Sequence, residues 1–192
     1  MSSHETDILS ILRTRRSNRL YDPARAIAPA VLDALLEAAR WAPSGGNSQP
    51  WRYVISERGT PAHAQLLALL MPFNAGWAGA APMLILSAAQ LTFVGKDGKT
   101  EHNHSALHDT GMANMSLTLE AVNRGMRTRM MGGFFKDAAR PLLHAVDAGL
   151  EPVCMIAVGY PLASEAMTDE QRAGETAPRE RKPVSDLLVT LS

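Results

Sequence analysis

Between residues 41 and 51 the chain reads WAPSGGNSQPW, small residues and prolines set between two tryptophans. Pro43 disfavours helical backbone in the residue before it, so a helix arriving from upstream stops there. Gly45 and Gly46 leave the main chain bare at the centre, able to turn tightly or to lie close against something flat. Pro50 then launches WRYVIS, aromatic and β-branched, which predicts a strand over 51–56. Upstream, PAVLDALLEAAR opens with Pro29, favourable in a first helical turn. Val31, Leu32, Leu35, Ala38 and Ala39 form its apolar stripe, predicting a helix over 29–40.

Further out, Ile8, Leu9, Ile11 and Leu12 share one side of an expected short helix over 5–14. Residues 61–70 read as helix, and MLILSA (83–88) as a buried strand. LTFVGKDGKTEHNH (91–104) is polar and glycine-containing, hence an expected loop. Ser105 is placed to cap a long helix ended by Gly125. Leu107, Met112, Met115, Leu119 and Val122, joined by Ala106, Ala113, Leu117 and Ala121, make it apolar nearly all round. Such a helix is buried or shared with a partner subunit. A further helix is expected over 136–146 and a buried strand over VCMIAV (153–158). The 163–181 tail is polar, and VSDLLVTL (184–191) turns apolar again. The sum is an α+β single domain in which helices dominate a small sheet.

The composition agrees with one soluble domain: 192 residues, 46% hydrophobic, 20% charged, 19 basic against 19 acidic side chains. A net charge of zero gives no global field toward nucleic acid or a membrane surface. The lone Cys154, inside an apolar run, reads as a buried core thiol. MSSHETDILSILRTRR lacks a signal-peptide pattern, and WAGAAPMLILSAAQL (77–91) is shorter than the roughly 20 residues of a membrane span. The expectation is a cytoplasmic protein.

No P-loop, Rossmann fingerprint, nucleophile elbow or HExxH occurs. What stands out is cationic. Arg13, Arg15, Arg16 and Arg19 crowd RTRRSNR, and Arg179, Arg181 and Lys182 crowd RERK. Arginine forks with Ser17 suit a phosphate, and a solvated helix end or charged tail would read the same way. Gly132 and Gly133 offer bare backbone to a ligand or form an ordinary turn. His102, His104, His108 and Asp109 have a spacing that also suits a metal.

Taken together, RRSNRLYD followed by WAPSGGNSQPWRYVI resembles the start of the FMN-dependent nitroreductase family. PFNAGWAGAAPMLIL, DTGMANMSLTLEAVNRGMRTRMMGGF, EPVCMIAVGYP and PRERKPVSDLL follow in that family's order. The resemblance implies a small mixed sheet surrounded by helices and an intertwined homodimer with FMN at its interface. It implies that Arg15, Arg16, Ser17 and Arg19 hold the FMN phosphate and ribityl chain, met by Arg179 and Arg181. Pro43, Ser44, Gly45, Asn47 and Gln49 would lie against the ring from the other subunit. Asn74 would bond the pyrimidine edge, and Gly132 and Gly133 would donate near N5 and O4. The helix from Ser105 would be the interface helix, with 184–192 reaching onto the partner.

The implied activity is ping-pong: hydride passes from NADH or NADPH to flavin N5, then on to a nitroaromatic, quinone or related acceptor. No protein side chain is then obligatory for catalysis, since the flavin carries the chemistry. Two departures bear on substrate and redox tuning. Some members have Glu-Gly where Gly132-Gly133 stands, and a lysine where Trp77 stands. The 91–104 segment is also shorter than the lid of larger members. Trp77, Phe93 and the His102–His108 region are expected on the substrate side. The rival readings are a metal-dependent enzyme built on His102, His104, His108 and Asp109, and a non-catalytic flavin-binding dimer.

Overall fold

The computed structural model describes residues 7–191, in two compact units that meet in sequence at Leu162 and Ala163. The first unit is a four-stranded sheet with helices on both faces. Its opening helix α1 ends at the expected Thr14 but begins only at Ser10, because Leu9 before it has a non-helical ψ of 126°. Residues 5 and 6 of the expected 5–14 helix lie outside the described residues. α2 (Pro29–Arg40) matches the expected span and ends at Trp41. β1 (Trp51–Glu57), β2 (Met83–Gln90), β5 (Arg127–Met131) and β6 (Leu150–Gly159) form the sheet in the order β1-β2-β6-β5. Within one chain every pairing is antiparallel.

β2 and β6 are apolar without a break because both of their faces are covered. Leu84, Leu86, Met155 and Ala157 turn to one face, where α3 (Pro61–Ala68), α4 (Pro72–Ala78) and α6 (Lys136–His144) supply Leu66, Ala78, Ala139 and Leu143. Ile85, Met83, Ile156 and Val158 turn to the other, against Leu35 and Ala39 of α2 and Ala113, Leu117 and Ala121 of α5 (Ala106–Asn123). Each leucine so buried stabilises the fold by about 1.5–3 kcal/mol. A bidentate pair from Arg140 to Glu151, at 2.9 and 2.8 Å, ties α6 to β6.

Several local expectations need correction. The 61–70 helix stops at Ala68, and α4 was not foreseen, since Pro72 starts it inside a run that reads as continuous apolar sequence. The 91–104 loop holds a hairpin of β3 (Thr92–Val94) and β4 (Thr100–His102), turned by Gly98 at φ 78°. Ser105 sits at the N-cap of α5 but makes no side-chain cap bond. Cys154 is half-buried rather than fully buried. It accepts from Asn114 Nδ2 at 3.5 Å, and burial pushes its thiol up to about 11.

The apolar character of α5 resolves into two faces. The buried face is mostly small or polar, with Ala106, Asp109, Thr110, Ala113, Asn114, Thr118 and Ala121 around a large apolar Leu117. Met112, Met115, Leu119 and Val122 are only half-buried, and Leu107 is exposed.

The second unit holds α7 (Asp169–Thr176), begun by a capping box between Thr168 and Gln171 that the polar 163–181 composition hid. Val184–Leu187 makes one 3₁₀ turn. Val184, Leu187, Leu188, Val189 and Leu191 are each 70% or more exposed. Ser192 lies outside the described residues.

Leu117 is fully buried between α5 and the sheet. Leu117→Ala is expected to cost about 2–5 kcal/mol, read as a lowered denaturant midpoint.

Candidate functional site

Two groups of the expected site residues assemble on the first unit, at different levels of α5. In the first, the loop after α1 is tied to the sheet edge: Arg129 Nη1, from β5, donates to the Ser17 carbonyl. Arg15 Nη1 donates to Ser17 Oγ at 3.2 Å. Beneath them lies a cavity of about 250 Å³ lined by Arg15, Ser17, Met115, Thr118, Thr128 and Met130. Thr128 Oγ1 donates to Thr118 Oγ1 at 3.3 Å. The cavity thus pairs a guanidinium and a serine hydroxyl with two threonines and two thioethers, a lining that suits an anionic group next to apolar surface. Arg16 is half-buried in the same loop.

Arg19 points elsewhere, its guanidinium 4.7 Å from the Phe73 ring on α4. Next along that helix, Asn74 Nδ2 donates to the Gly133 carbonyl at 2.9 Å. Asn74 and the tandem glycines, 59 residues apart, are therefore one local structure. The two glycines differ. A Cβ on Gly133 would stand 2.8 Å from Asn74 Nδ2, so the Asn74 amide would have to shift. A Cβ on Gly132 would meet nothing within 4 Å. Neither N–H of the pair donates to another group among the described residues. Trp77 belongs more to the core than to a substrate wall. It stacks on Tyr21 at 6.3 Å and packs against the buried cluster on that face, with Arg129 5.5 Å from its ring.

The second group is the turn at 44–49. Its two bounding tryptophans part company: Trp51 is buried, while Trp41 is 75% exposed and bonds Glu37 at 2.7 Å. Between them Gly46, Asn47 and Gln49 have φ of 57°, 56° and 46°. For asparagine and glutamine that left-handed backbone costs about 1–3 kcal/mol each. The turn is held from several sides. Ser44 Oγ accepts the Gln49 N–H at 3.0 Å, and Asn47 Oδ1 accepts from Gln49 Nε2 at 3.1 Å. Asn103 Nδ2 donates to Ser48 Oγ at 3.1 Å. Asp109 Oδ2 accepts the Gly45 N–H at 2.9 Å. Pro43 leads into this turn, and its Gly45 has room for a Cβ, with no atom nearer than 3.6 Å.

Asp109 meets the turn near the start of α5, whereas Thr118 lines the Arg15 cavity nine residues on. At 1.5 Å per residue that is about 13 Å along the helix. Arg179 and Arg181, with exposed side chains, belong to the second unit. The histidines do not converge. The His102 and His104 rings meet edge to face at 4.7 Å, while His108 Nδ1 lies 3.0 Å from Asp109 Oδ1. Among the described residues no group of three or more His, Cys, Asp or Glu side chains is placed to hold a metal. Phe93 sits on the β3–β4 hairpin, partly exposed.

Sequence reasoning missed Arg129, Thr118 and Thr128, and gave Asp109 a different role. Thr128 and Arg129 precede the tandem glycines in RTRMMGGF, the only hint available.

The model of the Nitroreductase family matches residues 12–160. "Putative NAD(P)H nitroreductase YdgI" of Bacillus subtilis (strain 168) is 26% identical over 185 residues, covering 80% of this chain and 88% of that protein. A solved structure described as an oxidoreductase containing FMN is 28% identical, with a TM-score of 0.86 over 97% of this chain and 93% of that one. A nitroreductase family protein from Streptococcus pneumoniae TIGR4, 20% identical, shares the fold at a TM-score of 0.74 over 95% and 98% of the two chains.

The contrast between the glycines is testable on the protein alone. Gly133→Ala should destabilise by about 1–3 kcal/mol, because Asn74 must move. Gly132→Ala should stay within about 0.5 kcal/mol of wild type. Equal denaturation midpoints for the two variants would contradict the close approach at Gly133.

Proposed function

The chain belongs to the nitroreductase family, and on that footing we propose that it is an FMN-dependent oxidoreductase using NADH or NADPH. The observation that carries the reading is the meeting of three distant stretches beside β5: Arg129 bound to Ser17, and Asn74 bound to Gly133.

The residues fit the group. A phosphate needs charged, forked donors, and Arg15 with Ser17 would supply them in the cavity, with Arg16 beside them in the same loop. Arg179 and Arg181 would add charge from the second unit. Arg19, drawn to Phe73, would serve the ring end beside Asn74. Asn74 uses one N–H on Gly133 and keeps its carbonyl oxygen for a ring N–H. The Gly132 and Gly133 amides would donate along the ring edge, where negative charge develops on reduction. When bound, FMN supplies the redox chemistry, taking a hydride from the nicotinamide and passing reducing equivalents to an acceptor. The chain's own part is to anchor, orient and shield.

The turn of Pro43, Ser44, Gly45, Asn47 and Gln49 would lie against the ring anchored by a second copy, making the working unit a homodimer. The exposed Leu107 and the half-buried Met112, Met115 and Leu119 on the outer faces of α5 support that pairing. So does the exposed apolar run at 184–191, and the whole chain would act as one FMN-binding domain. The acceptor is a nitroaromatic, a quinone or a related small molecule. No helix among the described residues is long and apolar enough to cross a membrane, and we place the enzyme in the cytoplasm.

Purified protein should bind FMN stoichiometrically, and anaerobic NADH or NADPH should bleach the flavin band. Protein that takes up no FMN overturns the proposal, and bound FMN that neither nucleotide reduces marks a non-catalytic flavin carrier instead. Arg15→Ala should weaken FMN binding by about 1.5–3 kcal/mol, measured by fluorescence titration.

A further inference from the structure

Asp109 is nearly fully buried, at 2% exposure, and both of its oxygens are engaged. Oδ2 takes the Gly45 N–H at 2.9 Å, and Oδ1 lies 3.0 Å from Nδ1 of the exposed His108. A carboxylate is costly to bury unless it is hydrogen-bonded or sits in a favourable field. Here it stands in the first turn of α5, where unpaired N–H groups and the helix dipole favour negative charge. The helix start thus carries a charged acceptor, and that acceptor's direct partner in the 44–49 turn is one backbone N–H.

That turn is partly self-held, with the Asn47 N–H on the Ser44 carbonyl at 3.0 Å and the Ser48 N–H on the Gly45 carbonyl at 3.1 Å. Gly46, Asn47 and Gln49 all lie in the left-handed region. Two of its internal bonds, Ser44 to Gln49 and Asn47 to Gln49, close it on itself without fixing it to the fold. Its described attachments to other segments are the Asp109–Gly45 bond, the Asn103–Ser48 bond at 3.1 Å and a bond from Arg52 Nη1 of β1 to the Gln49 carbonyl at 3.0 Å. Asn103 also accepts the Ser105 N–H at 3.1 Å, so the first two of these run to the start of α5.

We infer that Asp109 is a positioning residue: its buried carboxylate clamps Gly45 and sets the strained 44–49 turn as a preformed wall for the flavin ring. The inference rests on the proposed FMN site, and it concerns a residue whose sequence context suggested a metal ligand. A preformed wall saves the ordering cost that a loose turn would pay on binding. Because α5 also carries Met115 and Thr118 at the Arg15 cavity, one helix sets the level of both halves of the site.

The test separates clamp from cofactor. In FMN-free protein, hydrogen–deuterium exchange of the peptide carrying Gly45 is compared for wild type, Asp109→Ala and Asp109→Asn. Exchange should speed up at least tenfold in Asp109→Ala and return to near wild type in Asp109→Asn, which keeps an acceptor of the same shape. FMN titration should show a Kd at least tenfold higher for Asp109→Ala and within about threefold of wild type for Asp109→Asn. If Asp109→Ala does not fold, Asp109→Ser takes its place. Unchanged exchange in the folded Ala or Ser variant overturns the clamp, whatever FMN does. Faster exchange with unchanged FMN affinity also overturns it as a positioning device. Wild type that binds no FMN, with exchange faster in Asp109→Ala, refutes the flavin site and leaves the clamp standing.

Discussion

Alanine at 106, 113 and 121, with threonine at 110 and 118, lets α5 lie close on the sheet, and the site depends on that closeness. Leu117 apart, larger side chains on that face would lift the helix away. The polar groups admitted with the small ones are mostly paired across the layer: Asn114 with Ser87 at 3.0 Å, Thr118 with Thr128 at 3.3 Å. Such pairs contribute little net stability each, but leaving one unpaired is expensive, so they fix the helix in register. From that register Asp109 reaches Gly45, and Met115 and Thr118 close the cavity under Arg15 and Ser17.

The same packing leaves the apolar side chains of α5 facing outward. Met112, Met115, Leu119 and Val122 are half-buried and Leu107 is exposed, on a helix whose inner face is already satisfied. In the proposed homodimer such a surface would be shared between the two copies. One chain offers a cationic cradle with open glycine amides. About 13 Å along the helix it offers a strained turn with room beside its Gly45.

How much was legible varied with how local the cause was. α2 could be read to its boundaries, because Pro29, the apolar stripe and Pro43 are all within the segment. The central strands were readable from unbroken apolar runs, although β6 starts three residues earlier than VCMIAV, at Leu150. The β3–β4 hairpin was not readable: its strands are three residues each, largely polar and exposed, and pair only through backbone. α4 was hidden by an apolar context that fits helix and strand equally. Asp109 looked like a neighbour of histidines, because its real partner is 64 residues away.

Residue types and their order therefore determined, by themselves, the α+β class, the helix stop and strand start around WAPSGGNSQPW, and the family, since each follows from local backbone preference or from a short motif. Tertiary structure alone decided which of two adjacent glycines is crowded by Asn74 and which stands open. It also decided that Arg19 turns to Phe73 rather than to Arg15, and that a buried carboxylate holds Gly45. Those outcomes are contacts between segments far apart in the chain, and no local preference encodes a distance that only the packing of α5 and α4 on the sheet brings about.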